Sequence, residues 1–145
     1  MPIETDSAAK VVAENFFTHD KTGVRLRITE CQDCASRWFP PVAICSQCAG
    51  ANVVVIESGT TGVAYASTVV RVGPPGFPAP YVLSYVDIDG VRLLAHTEAP
   101  EALEPGSPVE LAVGEIGNAD GRPLMSYVVR PHRDGAKVSS EGDRS

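Results

Sequence analysis

Four cysteines form two C-x-x-C pairs separated by ten residues, and this spacing is a specific chemical signal. They are Cys31, Cys34, Cys45 and Cys48. A C-x-x-C turn points two thiolates at one position, so two such turns supply the four ligands of a tetrahedral zinc site. A site with four protein ligands has no open position for water, and the free energy of metal binding then contributes to folding. The spacing therefore predicts one structural zinc ion in a small ribbon.

Other uses of the four cysteines stay open at this point. A redox dithiol or unliganded buried thiols are alternatives, but two paired motifs are a more specific signal than one. Iron could also occupy four thiolates, as in a rubredoxin-like site. The N-terminus, MPIETDSAAK, lacks the basic start and apolar stretch of a signal peptide. We therefore expect a cytoplasmic protein, in which reduced thiols favour metal binding over disulfides.

Two predicted strands flank the cysteine pairs and would hold them in place. VRLRITE (24–30) alternates apolar and polar residues before the first pair, and NVVVIES (52–58) follows the second pair. Further upstream, residues 7–19 place Phe16 and other apolar residues near helical spacing, with Ser7 as a possible cap. The sequence therefore predicts a short N-terminal helix followed by a zinc ribbon.

From residue 60 onward the pattern predicts β-strands. The Asp89-Gly90 pair fits a two-residue hairpin turn, and the segment 118–121 marks a second hairpin. Residues 98–108 contain three prolines and can hold only a turn or a single helical turn. Five short strands with these connections predict a small closed barrel of the OB type. The predicted strands lie near residues 62–72, 81–88, 91–97, 108–116 and 122–130.

The length of 145 residues allows one core with a small appendage. The predicted fold class is mainly β, with a short N-terminal helix and a rubredoxin-like zinc ribbon followed by a five-stranded OB-fold barrel. The predicted segments are an N-terminal helix or arm (1–22), the zinc ribbon (23–58), the OB-fold (59–131) and a flexible tail (132–145).

Three blocks of sequence resemble a known protein family. They are CQDCASRWFPPVAICSQC (31–48), GTTGVAYASTVV (59–70) and PYVLSYVDIDGVRLLAH (80–96). In this order they resemble the zinc-ribbon plus OB-fold proteins, a family formerly classed as a domain of unknown function and often encoded beside thiolases. The resemblance extends over roughly residues 10–131. The chain departs from the family pattern at Ala35, where glycine is common, and at Val42, where arginine is common.

The resemblance implies a non-catalytic subunit that assembles with a thiolase-like enzyme, such as a thiolase, an aldolase or an acyltransferase. In such complexes the ribbon–OB subunit helps to bind acyl-CoA substrates or to pass an intermediate between enzymes, in pathways of lipid or steroid metabolism. We therefore expect a hetero-oligomer in which this chain has no activity alone.

Four further residues are candidates for contact with the partner or with CoA, namely Phe77, Arg71, Trp38 and Phe39. Phe77 lies in the loop GPPGFPAP (73–80), where four prolines lower the entropy cost of presenting an apolar anchor. The alternative is that Phe77 folds back over the barrel end.

Two other functions compete with this one. An OB barrel can bind single-stranded nucleic acid by stacking bases on aromatic rings over a basic groove. The net charge of −6, with eight carboxylates against four arginines in residues 60–131, opposes nucleic-acid binding unless the arginines cluster.

An independent enzyme acting on CoA thioesters would need a nucleophile or an acid–base pair. The cysteines are assigned as ligands, and Asp87 and Asp89 fit a turn. The sequence therefore names no catalytic residue.

Overall fold

Alternating buried and exposed residues organise most of the chain into β-strands. The computed structural model describes residues 9–132 and contains ten strands and no helix within that range. The strands are β1 (Lys10–Val11), β2 (Phe17–Asp20), β3 (Gly23–Cys31), β4 (Arg37–Trp38), β5 (Val53–Glu57), β6 (Thr61–Val70), β7 (Tyr81–Ile88), β8 (Val91–Thr97), β9 (Pro108–Ala119) and β10 (Arg122–Pro131). Among these residues there is accordingly no helix of the length and apolarity that a membrane span needs. The predicted flexible tail, apart from His132, lies outside the described residues.

The strand β3 is the centre of the N-terminal sheet. β2 pairs antiparallel with its first half, and β4 and β5 both pair antiparallel with its second half. Because β4 and β5 both pair with Thr29, they lie on opposite edges of β3. β3 ends at Cys31 and therefore delivers the first cysteine at a fixed position in this sheet.

The structure corrects the predicted helix over residues 7–19. Lys10–Val11 pairs in parallel with β10, and Phe17–Asp20 pairs with β3. Ala13 has a left-handed backbone (φ 59°), and the Phe16 N–H donates to its carbonyl (2.9 Å), which forms a turn between the two strands. The open edges of β10 and β3 satisfy the backbone groups of this segment, and that pairing overrides the weak propensity of a short helix. The first two residues of the predicted helix lie outside the described range.

Five strands close into a barrel. Each neighbour in the order β6-β7-β8-β10-β9 is hydrogen-bonded to the next, and β9 pairs back with β6. This is the strand order of an OB-fold, and it confirms the predicted five-stranded barrel. Asp89-Gly90 (φ 45° and 90°) and Asp120-Gly121 (φ 53° and 77°) form the two tight hairpin turns, as the sequence indicated.

One hydrophobic core joins the N-terminal sheet to the barrel. Leu26 and Ile28 of β3 are fully buried in the same cluster as Val86, Ile88 and Val129 of the barrel. The sheet that leads into the cysteine pairs is therefore anchored on the barrel core.

Candidate functional site

Each C-x-x-C pair lies in a tight turn that is closed by a backbone hydrogen bond. The Ala35 N–H donates to the carbonyl of Cys31 (2.9 Å), and the Ala49 N–H donates to the carbonyl of Cys45 (2.7 Å). Ala35 and Ala49 both have a left-handed backbone, with φ of 66° and 63°. The two turns thus share one geometry, as expected if each presents two sulfur atoms to a common centre.

The four cysteine sulfur atoms lie within 4.8 Å of one another. The Sγ atoms of Cys31 and Cys48 are 3.7 Å apart, and those of Cys34 and Cys45 are 3.6 Å apart. In a tetrahedral site with Zn–S bonds of about 2.3 Å, neighbouring sulfurs are about 3.8 Å apart. All four cysteines are free of disulfide bonds. Four thiols at this spacing can bind one metal ion.

The surroundings favour the thiolate form at two of these cysteines. Ser36, whose Oγ lies 3.2 Å from the Sγ of Cys34, lowers the pKa of Cys34 through its side chain and its backbone N–H. Burial raises the pKa of Cys45, but hydrogen bonds from the backbone N–H groups of Cys48 and Gln47 outweigh burial and bring that pKa to about 6. Because the thiolate is the metal-binding form of cysteine, these contacts prepare the site for a cation.

The pKa of Cys48 is shifted in the opposite direction. The Gly50 N–H lowers the pKa of Cys48, but the neighbouring Cys31 thiol and burial raise it to about 12. Adjacent thiolates repel one another, which favours the thiol form at Cys48. A divalent cation would remove that repulsion.

Trp38 and Phe39 point into different surroundings. Trp38 lies opposite Thr29 on β3 and is half-buried. Its side chain helps to lower the pKa of Cys45, although the indole N–H has no well-formed hydrogen bond among the described residues. Phe39 packs edge-on against Phe16 (ring centroids 6.0 Å apart) and Tyr127 (5.6 Å). Trp38 therefore belongs to the surroundings of the cysteines, and Phe39 to the junction between the N-terminal sheet and the barrel.

Phe77 folds back onto the barrel, the second of the two arrangements considered from the sequence. Its ring stacks on the His96 ring, with the two centroids 6.1 Å apart. The Tyr81 ring also stacks on His96, with centroids 5.0 Å apart. The Asn118 N–H donates to the carbonyl of Gly76 (2.8 Å), which holds the loop against β9. A side chain at Gly117 would collide with the Phe77 ring, so the glycine leaves room for it.

Arg71 lies at a separate cleft beside the same loop. The cleft has a volume of about 470 Å³. It is lined by Val69, Arg71, Pro80, Tyr81, Val82 and the segment 99–102. Arg71 is exposed and makes no ion pair with the described residues. Tyr81 connects this cleft to the Phe77–His96 stack, whereas the ring contacts of Trp38 and Phe39 lie in other clusters.

The barrel arginines are dispersed in the described part of the chain. Arg92 pairs with Asp87 (2.7 Å), and Arg130 pairs with Glu98 (2.8 Å). Arg71 lines the cleft just described. These three arginines therefore share no common partner or cleft, and two of them are already paired with carboxylates.

Comparison with known proteins identifies the family. A family model described as the C-terminal OB-fold domain of ChsH2 matches residues 55–114. A solved structure, described as "Ltp2-ChsH2(DUF35) aldolase", is 32% identical in sequence, with a TM-score of 0.57. The match covers 74% of this chain and 84% of that chain. This chain belongs to the ChsH2 (DUF35) family. No curated protein sequence gives a significant match.

The range matched by the ChsH2 family model does not include the cysteine cluster. The matched range begins at residue 55 within β5 and ends at residue 114 within β9, so it contains none of the four cysteines. The evidence for a metal site therefore comes from the positions of the four sulfur atoms in this chain. The predicted family is confirmed by the comparisons.

Sequence reasoning missed a set of exposed apolar residues on this ChsH2-type barrel. Tyr85 and Leu94 are directly opposite each other on β7 and β8, and both are about half exposed. Strand β7, YVLSYVDI, has apolar residues on both of its faces, whereas a strand with one solvated face should alternate apolar and polar residues. That lack of alternation was the available signal.

Proposed function

We propose that this chain is a zinc-binding, non-catalytic subunit that assembles with a thiolase-like enzyme and helps to hold its acyl-CoA substrate. The observation that carries the proposal is the match to a chain of the Ltp2–ChsH2 aldolase, at 32% identity over 84% of that chain. That relative was solved as part of a two-component aldolase. The partner proposed here is a thiolase-like protein, to be sought first among the proteins encoded beside this chain.

Zinc is the metal proposed for the four cysteines. The donor set is entirely thiolate, which zinc and iron both accept, and the sulfur separations of 3.6 and 3.7 Å suit a closed tetrahedral site. With zinc bound, all four thiolates would be ligands, so none would serve as a nucleophile. Metal analysis of the purified protein should give about one zinc per chain without the visible absorption of a ferric thiolate site.

The cleft beside Arg71 is the proposed contact for the CoA thioester. Val69, Pro80 and Tyr81 contribute apolar surface that suits a pantetheine arm, and Arg71, which shares the lining with Glu101, supplies a cation for a phosphate. The volume of about 470 Å³ falls within the range of small-molecule sites. In this arrangement the chain binds and orients the substrate, and the partner performs the chemistry.

A reconstituted assay tests the function. The thiolase-like partner is assayed with acyl-CoA in the absence and presence of this chain, and this chain is assayed alone. We expect turnover by the mixture to exceed that of the partner, and no turnover by this chain alone. The proposal fails if the chain neither binds the partner nor changes its activity, or if the chain alone converts acyl-CoA.

Substitution of Arg71 tests the substrate contact separately. We expect Arg71→Ala to raise the KM of the complex for acyl-CoA about tenfold, which corresponds to one lost charge-assisted contact. The kcat should change little, because Arg71 is proposed to bind and not to react. Arg71→Lys is the matched control and should recover most of the affinity. An unchanged KM in Arg71→Ala would remove this cleft from the proposal.

A further inference from the structure

The outer surface of β6, β7 and β8 carries large apolar side chains that remain about half exposed in the described part of the chain. Val63, Tyr65, Tyr85 and Leu94 retain 45%, 52%, 49% and 45% of their accessible surface. The alternate residues of the same strands, such as Val86 and Leu93, are buried in the core. We call the surface formed by Val63, Tyr65, Leu83, Tyr85 and Leu94 the outer apolar face.

The strand register makes this face continuous. Tyr85 lies opposite Ala66 on one side and Leu94 on the other, and Leu83 lies opposite Thr68. Between them is a depression of about 340 Å³. It is lined by Ala66, Ser67, Thr68, Leu83, Tyr85 and Leu94. An apolar depression between exposed aromatic and aliphatic side chains is the surface into which a partner inserts an anchor residue.

The charges at the edge of the face neutralise one another. Nε and Nη2 of Arg92 donate to the two carboxylate oxygens of Asp87, at 2.7 and 3.1 Å, and the guanidinium carbon lies 3.5 Å from the centroid of the Tyr65 ring. Arg92 is thus engaged on two sides and offers no free charge to a phosphate backbone. The centre of the face suits a desolvated protein contact.

The charge of the rest of the chain distinguishes between possible occupants. The segment that follows β8 carries Glu98, Glu101 and Glu104, all exposed, and the chain as a whole has a net charge of −6. Two copies of the chain would each carry this net negative charge, and their like charge disfavours association. A partner with an apolar centre and a basic rim would be complementary. Strands 2 and 3 of an OB barrel, here β7 and β8, form the face on which other OB-folds bind oligonucleotides and oligosaccharides, so this face is a known binding position of the fold.

We propose that the outer apolar face is the docking surface for the thiolase-like partner subunit, which places an apolar side chain in the depression between Leu83, Tyr85 and Leu94. This inference rests on the proposed function and adds the surface through which the complex forms. Tyr85 and Leu94 lie at its centre, opposite each other in the register, and should carry most of the binding energy.

Binding measurements with variants test the docking surface. The dissociation constant for the purified thiolase-like protein encoded with this chain is measured by calorimetry for the full-length protein and for Tyr85→Ala, Leu94→Ala and Leu94→Asp. We expect each alanine variant to weaken binding about 30-fold, a typical hot-spot loss, and Leu94→Asp to abolish it. The control is Val72→Asp, in a loop where the side chain is 90% exposed, and it should bind within twofold of the unmodified protein. Circular dichroism and metal content show that each variant is folded.

The possible results separate this inference from the function on which it rests. If the unmodified protein binds the partner and Leu94→Asp binds equally well, the docking surface is wrong and the proposed function stands. If the unmodified protein does not bind the partner, both fail. Sedimentation of the isolated chain should show a monomer, and a dimer that Leu94→Asp dissociates would assign the face to a second copy and overturn the inference.

Discussion

The two cysteines of each pair differ in exposure. Cys31 and Cys45 are fully buried, whereas Cys34 and Cys48 are exposed. Each turn therefore holds one sulfur inside the protein and presents one near the surface. The buried pair would fix the position of a bound metal relative to the core, because Cys31 is the last residue of β3.

Substitution of Cys45 should abolish metal binding. Cys45→Ser replaces a buried thiolate with a hydroxyl that binds zinc weakly, and the other three thiolates would then repel one another without a compensating cation. We expect the variant to retain less than one tenth of the metal of the unmodified protein and to be poorly soluble, as measured by elemental analysis and by yield. The control is Ser46→Ala at the adjacent exposed position. Full metal content in Cys45→Ser would remove Cys45 from the ligand set.

A substitution at one of the alanines with a left-handed backbone should stabilise the protein. Ala35 has φ of 66°, a conformation that costs an L-residue about 1–2 kcal/mol, whereas glycine adopts it freely. Glycine also loses about 0.5–1 kcal/mol through its greater unfolded-state entropy, so we expect Ala35→Gly to stabilise the protein by about 0.5–1 kcal/mol. Chemical denaturation measures the change, with Ala51→Gly, where φ is not positive, as the control. A destabilised Ala35→Gly would contradict the assigned turn geometry.

At the scale of elements, the strands that alternate cleanly were the predictable ones. β3 follows its apolar–polar pattern, and the Asp89-Gly90 turn lies between β7 and β8 as its dipeptide indicates. The segment 7–19 has the spacing of a helix, but it pairs with β3 and β10. Both strands follow it in the sequence, and no local signal in residues 7–19 reveals that their edges are available. The direction of Phe77 was likewise undetermined, since it depends on His96 and Gly117.

The stack of Phe77, His96 and Tyr81 should make the loop sensitive to acid. Burial lowers the pKa of His96 below its usual 6.5, so the unfolded chain binds the proton more readily than the folded one. This contribution to stability is present above about pH 6.5 and is lost as the pH falls through and below that value. We expect His96→Phe, which keeps a ring in the stack, to unfold with a smaller loss of melting temperature between pH 7.5 and 5 than the unmodified protein.

The exposed His19 provides the matched control for this experiment. His19→Gln should keep the full acid dependence. Equal acid dependence in His96→Phe and the unmodified protein would show that the His96 stack does not contribute to it.

At the scale of the whole molecule, the sheet that carries the first cysteine shares one hydrophobic core with the barrel. Leu26 and Ile28 of β3 are buried in the barrel core, and Phe39 lies between Phe16 and Tyr127 at the junction. The family resemblance indicated the OB barrel and the cysteine cluster, but it did not indicate that β3 connects the two. That arrangement depends on tertiary contacts between distant segments.

Removal of the metal should therefore destabilise the barrel as well as the ribbon. A strong chelator is expected to lower the melting temperature of the whole chain, and hydrogen exchange should rise in β3 and in the barrel strands β7 and β8 together, because metal binding free energy contributes to one shared fold. Restoring zinc should reverse both effects. Unchanged protection of β7 and β8 after metal removal would show that the barrel folds independently of the metal centre.

We propose that this protein works as a subunit of a thiolase-like acyl-CoA enzyme. Isolation of its native complex tests this proposal. The tagged full-length protein is purified from its own host, and its companions are identified and counted by native mass spectrometry. The account predicts a stoichiometric complex with a thiolase-like protein, with about one zinc per copy of this chain. Recovery of the protein alone, or in a stoichiometric complex with nucleic acid instead, would contradict it.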